Sequence, residues 1–74
     1  MTAQQLKKKL QQIEDTYTTA VTAAHKTADT VRKTALATGS DETEAQFAHD
    51  RAFAFEANRA SEKRLAALIA LETF

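Results

Sequence analysis

The chain has 74 residues and contains no cysteine, no proline, no tryptophan and a single glycine, Gly39. Each absence removes a class of structure. Without cysteine there is neither a disulfide nor a thiolate metal site to stabilise a short chain. Without proline nothing along the backbone breaks a helix by losing a donor. One glycine excludes the glycine-rich loops that cradle phosphates. It also confines a positive-φ reversal to one place. No apolar run is long enough to span a bilayer, and the polar first ten residues carry Lys7-Lys8-Lys9 with no apolar segment behind them, unlike a signal peptide. Ten basic and ten acidic residues leave a formal net charge of zero, so the basic excess of a general nucleic-acid or anionic-membrane binder is missing. A cytoplasmic protein of one domain, residues 1–74, is the expectation.

What the chain does have is helical periodicity on both sides of Thr38-Gly39-Ser40-Asp41. Gly39 suits the residue just past a helix end. Ser40 or Asp41 can accept from the free N–H groups of a following helix. With Asp41 as cap, Glu44 falls three residues on, at capping-box spacing. Arg32 and Lys33 precede the turn, where cations favour a helix C-terminus, and Asp41, Glu42 and Glu44 follow it, where anions favour an N-terminus. Residues 39, 40 and 41 are therefore the predicted turn of an all-α, antiparallel two-helix hairpin with helices over about 3–37 and 42–73.

The first helix is predicted to start at Thr2, with Gln5 completing a capping box and Met1 and Leu6 placed as a hydrophobic staple. Its apolar stripe runs through Leu6, Leu10, Ile13, Tyr17, Val21, Ala24, Ala28, Val31 and Ala35, a mean step of about 3.6 residues, one line along a straight helix. Asp15-Thr16-Tyr17-Thr18-Thr19 is poor helix material and would allow a break into a third helix. The stripe crosses it in phase, which favours one helix.

The second helix is apolar over more than half its circumference. One line holds Phe47, Ala54, Ser61, Leu65 and Leu68. A second holds Phe53, Ala57, Ala60, Ala67, Leu71 and Phe74, with Arg64 interrupting it. One partner helix cannot cover both lines. The expectation is that Leu65 and Leu68 pack on the first helix while the Phe53–Phe74 line faces a second copy, giving a homodimeric four-helix bundle. Antiparallel register about residue 39 pairs positions summing to roughly 79. That sets Lys7 opposite Glu72, Asp15 opposite Arg64, Asp29 near Arg51 and Lys33 near Glu44. Exposed ion pairs of this kind set register more than stability.

Sites for chemistry are sparse. Neither His25 nor His49 has the Glu-x-x-His spacing of a carboxylate-bridged metal pair. His25 and Asp29 could share a face, but one such pair is a weak ligand set. Ser40 and Ser61 lie in no Gly-x-Ser-x-Gly elbow. No catalytic, cofactor or metal residue is assigned, and an enzyme is not expected. The function expected is that of a small scaffold, adaptor or inhibitor working through protein–protein contacts. The alternative is a weak RNA- or DNA-binding regulator. It would use a basic stripe of Lys8, Lys26 and Lys33 on the first helix, a line that Asp15 and Asp29 interrupt.

Overall fold

The computed structural model describes residues 2–72 and contains two helices, α1 (Ala3–Ala37) and α2 (Glu42–Glu72), packed antiparallel. The α1 start is capped as its sequence dictates. The Thr2 hydroxyl accepts from the Gln5 N–H at 3.2 Å, and the Gln5 side chain accepts from the Thr2 N–H at 3.0 Å. The expected staple involves Met1 and lies outside the described residues. No break occurs at Asp15–Thr19. Thr16, Thr18 and Thr19 are exposed, and Thr22 satisfies its hydroxyl on the carbonyl of Thr18 one turn back.

At the far end α1 closes with a Schellman motif. Ser40 N–H donates to the Ala35 carbonyl at 3.0 Å and Gly39 N–H to the Leu36 carbonyl at 3.3 Å. This geometry needs a left-handed residue, and Gly39 supplies it at φ +101°. Asp41 then opens α2 by accepting from the Glu44 N–H at 2.8 Å. Arg32 turns across the reversal and donates to Glu42 at 2.8 Å. The two charges on either side of the turn thus serve each other, and Glu42 also lies in the first turn of α2, where an anion is favoured, while the last turn of α1 holds no basic residue.

The hairpin measures 56 × 16 × 13 Å, with a radius of gyration of 16.8 Å. A compact chain of this length would have a radius of about 11 Å. One layer of helix is about 10–12 Å thick, so the molecule is a single layer with both broad sides in solvent. Its interior is correspondingly thin. The fully buried residues among those described are Ala24, Ala28, Ala45 and Ala60, at 0–5% exposure, and no large side chain is fully enclosed. Alanine fits this seam because two helices meet there along one line and small side chains let the backbones approach.

From Ile13 onward the α1 stripe lies where its periodicity put it, while Leu6 and Leu10 at its start are exposed. Ile13, Tyr17, Val21, Val31 and Ala35 are half-buried against α2. On α2 the face differs from the expectation. The side toward α1 carries Ala45, His49, Ala52, Phe53, Glu56, Ala57, Ala60, Arg64, Ala67 and Leu71, all buried or half-buried. Leu65 is exposed on the far side, and Leu68 is half-buried at the edge of the seam. The line of Phe53 is thus the one that packs on α1. Its small residues at steps of four and three suit a close helix pair. Arg64 does not interrupt that line but completes its spacing from 53 to 71.

Replacing Gly39 by Ala should lower stability by about 1–2 kcal/mol through the left-handed backbone alone, since a Cβ there meets nothing within 4 Å. Gly39→Asn should cost less. Denaturant titrations would show this as a lower midpoint with unchanged helicity in water; an Ala variant as stable as the parent would contradict the Schellman assignment.

Candidate interaction surface

Three cross-helix clusters hold the register of the hairpin. Near the open end Arg64 donates to Glu14 Oε1 through Nε at 2.8 Å and Nη2 at 2.6 Å. Its guanidinium also lies 5.3 Å from the centre of the Tyr17 ring, within cation–π range. The Glu14 hydrogen bonds, and then its charge, raise the pKa of Arg64 above the ordinary value. In the middle, the His25 ring packs on Phe53 with centroids 4.5 Å apart and planes tilted by 34°. Next to it His49 bridges carboxylates from both helices. Nε2 lies 3.4 Å from Asp29 Oδ1 and Nδ1 lies 3.0 Å from Asp50 Oδ1. Gln46 donates to the same Asp50 oxygen at 2.9 Å.

The pairs Glu14–Arg64, His25–Phe53 and Asp29–His49 each sum to 78, one less than the expected register. The shift moves Arg64 from Asp15 to Glu14 and brings Asp29 to His49. Because helical neighbours point about 100° apart, one residue of register decides which carboxylate faces the seam. Glu14 is half-buried while Asp15 is exposed.

The residues expected from the sequence to form a self-interface are accounted for one by one. Phe53 stacks on His25, and Ala57 and Ala60 lie in the seam. Ala67 and Leu71 line an open groove of about 310 Å³ between the helices, with Ile13, Tyr17 and Ala20 opposite and Lys9, Lys63 and Arg64 at its rim. Phe74 lies outside the described residues. Gly39 takes the left-handed conformation and Asp41 caps α2, while Ser40, the other cap candidate, instead donates its N–H to Ala35. Lys8, Lys26 and Lys33 are exposed, on the side of α1 turned from α2. Among the described residues no group of three His, Asp or Glu side chains could hold a metal ion, and no helix is long and apolar enough to cross a membrane.

The most exposed large apolar residues are on α2. Phe47 is 65% exposed, Phe55 62%, Leu65 59% and Ile69 52%. They lie on the side of the helix opposite α1. Leu6 and Leu10, near the open end of α1, are exposed to a lesser degree. Phe47 and Leu65 belong to the line whose Leu65 and Leu68 were expected to pack on α1; the structure leaves both Phe47 and Leu65 exposed. The signal that separates the two lines is the register sum: Glu14 with Arg64 and His25 with Phe53 both fall on it, and together they turn the Phe53 side toward α1.

No protein-family model matches this chain, and neither does any curated protein or any solved structure. The class to which the fold itself assigns the molecule is the antiparallel helical hairpin.

The bonds around Asp50 make a checkable statement about pH. Acceptance first from His49 and then from Gln46 holds its carboxyl below the ordinary aspartate value. A carboxylate whose pKa is lower folded than unfolded contributes stability above its unfolded pKa, about 3.9, and loses it as pH falls through the folded value. Carbon-detected NMR should find Asp50 titrating below the ordinary aspartate value. His49→Ala should move its midpoint up, and by more than Gln46→Ala does; an unmoved midpoint would remove His49 as the cause.

Proposed function

We propose that this hairpin is a non-enzymatic module that works through protein–protein contacts, and that its first partner is a second copy of itself. The observation that carries the reading is exposed surface. The chain leaves 5747 Å² accessible. A folded monomer of its mass, 8.1 kDa, exposes about 4,500 Å² by the usual scaling. The excess of about 1,250 Å² per chain would make about 2,500 Å² in a pair, within the range of permanent homodimers. The seam fully encloses only alanines among the described residues, and helices of this length draw most of their stability from tertiary packing. A mixed apolar and charged outer face on α2 supplies a surface on which further packing can form.

An adaptor that docks the same face on a foreign protein uses the same chemistry, and the oligomeric state separates the two. Light scattering after size exclusion should give twice the chain mass of 8.1 kDa, with a melting temperature that rises with protein concentration. Phe55→Glu combined with Leu65→Glu should yield a monomer of reduced helicity. A parent chain that is monomeric and folded at micromolar concentration would remove self-association and leave the adaptor.

The nucleic-acid reading rests on Lys8, Lys26 and Lys33 alone, in a chain whose net charge is zero. Binding to duplex or stem-loop should be no tighter than the non-specific range, about 10⁻⁴–10⁻⁶ M at physiological salt. Submicromolar affinity, falling by about 0.9 log units per log salt for each DNA phosphate contacted and lost on neutralising those three lysines, would replace the protein-contact reading.

A further inference from the structure

The two helices differ in how many sides they prepare for contact. α1 has one apolar stripe, the mark of a helix with one neighbour. α2 has apolar residues on two opposite sides, and α1 occupies only one. The unoccupied side forms a line of its own. Phe47, Arg51, Phe55, Asn58, Glu62, Leu65 and Ile69 follow one another at steps of 4, 4, 3, 4, 3 and 4, close to the period of a straight helix. Every one of them is exposed.

The four apolar residues of this line, though not Arg51, are placed close to symmetrically along it. Phe47 and Ile69 have their midpoint at residue 58, and Phe55 and Leu65 have theirs at residue 60. Between them lie polar residues, with Asn58 near the centre. The four apolar positions of such a line match themselves read backwards, with Arg51 falling between the partner's Leu65 and Ile69.

We propose that α2 pairs with α2 of a second copy, antiparallel, about a two-fold axis crossing the helix near Arg59. This rests on the reading of the chain as a self-associating module, and adds the face, the direction and the register. With the axis there, Phe47 meets the partner's Ile69 and Phe55 meets the partner's Leu65. Each match is within two residues of ideal register, about 3 Å along the helix, which side chains absorb.

Charge selects the direction. A parallel pair would set Arg51 on Arg51 and Glu62 on Glu62. The antiparallel pair moves both of these like pairs apart; at the axis it brings Arg59 beside the partner's Arg59, and Glu62 of each chain, three residues or about 4.5 Å along the helix, offsets that pair. Arg59 is already held at the edge of the apolar line, its guanidinium 5.9 Å from the centre of the Phe55 ring. Residues three apart on a helix share an edge, and an antiparallel two-fold brings like edges together. Asn58 beside the axis specifies register, as a single polar residue does in other helix pairs. The assembly has the two α2 helices at its centre and an α1 on each flank. That arrangement accounts for α2 being apolar on two sides and α1 on one.

The absence of cysteine makes the test clean, because each introduced thiol is the only one in its chain. Asn58→Cys, under mild oxidation with copper–phenanthroline, should form a disulfide-linked dimer in high yield. Ile69→Cys alone should not, since the two thiols stand about 30 Å apart at about 1.5 Å per residue. A mixture of Phe47→Cys and Ile69→Cys chains should give the mixed dimer. All three positions are exposed, so the substitutions leave the hairpin intact, which circular dichroism verifies. Ile69→Cys linking to itself as readily as Asn58→Cys would overturn the antiparallel register. So would a dimeric parent in which no Asn58→Cys link forms, while leaving self-association standing. A monomeric parent would overturn both.

Discussion

Two helices can touch along only one line, and most features of this molecule follow from that constraint. A seam between two cylinders has room for small side chains at the line of closest approach and only half-covers larger ones beside it. The enclosed residues are accordingly four alanines, while Ile13, Tyr17, Val21, Phe53 and Leu71 are each covered on one side. A one-layer body cannot bury enough apolar area to offset the entropy of ordering its chain by much. Its cross-helix clusters align the helices more than they stabilise them, since charges with this much solvent access gain little from pairing.

Arg64 shows how such a seam uses a charged residue. In a deep core a guanidinium would need full pairing at high desolvation cost. Here the side chain runs along the seam, lays its planar group beside Tyr17 and reaches Glu14 at the edge. Its stem covers apolar surface while its head stays wet. The same division holds for His49, which sits in the seam and takes its partners from the rim. Arg64 and His49 are tolerated at contact positions because both are only half-buried there.

What the seam leaves over is two broad sides and two outer lines. Of these, the outer line of α2 combines large apolar side chains with charges of both signs. The groove beside Tyr17 is apolar within and rimmed by Lys9, Lys63 and Arg64, the last paired with Glu14. On the α2 outer line Glu62 lies within one turn of Arg59, so an anion is at hand beside the cations.

The architecture was legible in the sequence because its determinants are local. Thr2 with Gln5, the single glycine, Asp41 with the Glu44 N–H, and the stripe of α1 each act within a few residues of themselves. They specify two helices and one reversal whatever those helices touch. The face that α2 turns to α1 was not legible, because an apolar pattern that covers more than half a helix does not choose a side. Leu65 and Leu68 on one line and Phe53 and Leu71 on the other are equally apolar as sequence, and the expectation that set Leu65 and Leu68 against α1 had nothing local to decide it. The choice was made between helices, by close approach of alanines, by Phe53 on His25 and by Arg64 on Glu14. These pairings join residues far apart in the chain, and a shift of one residue in register exchanges Asp15 for Glu14. Local chemistry determined the elements; only their packing decided which residues were left for a partner.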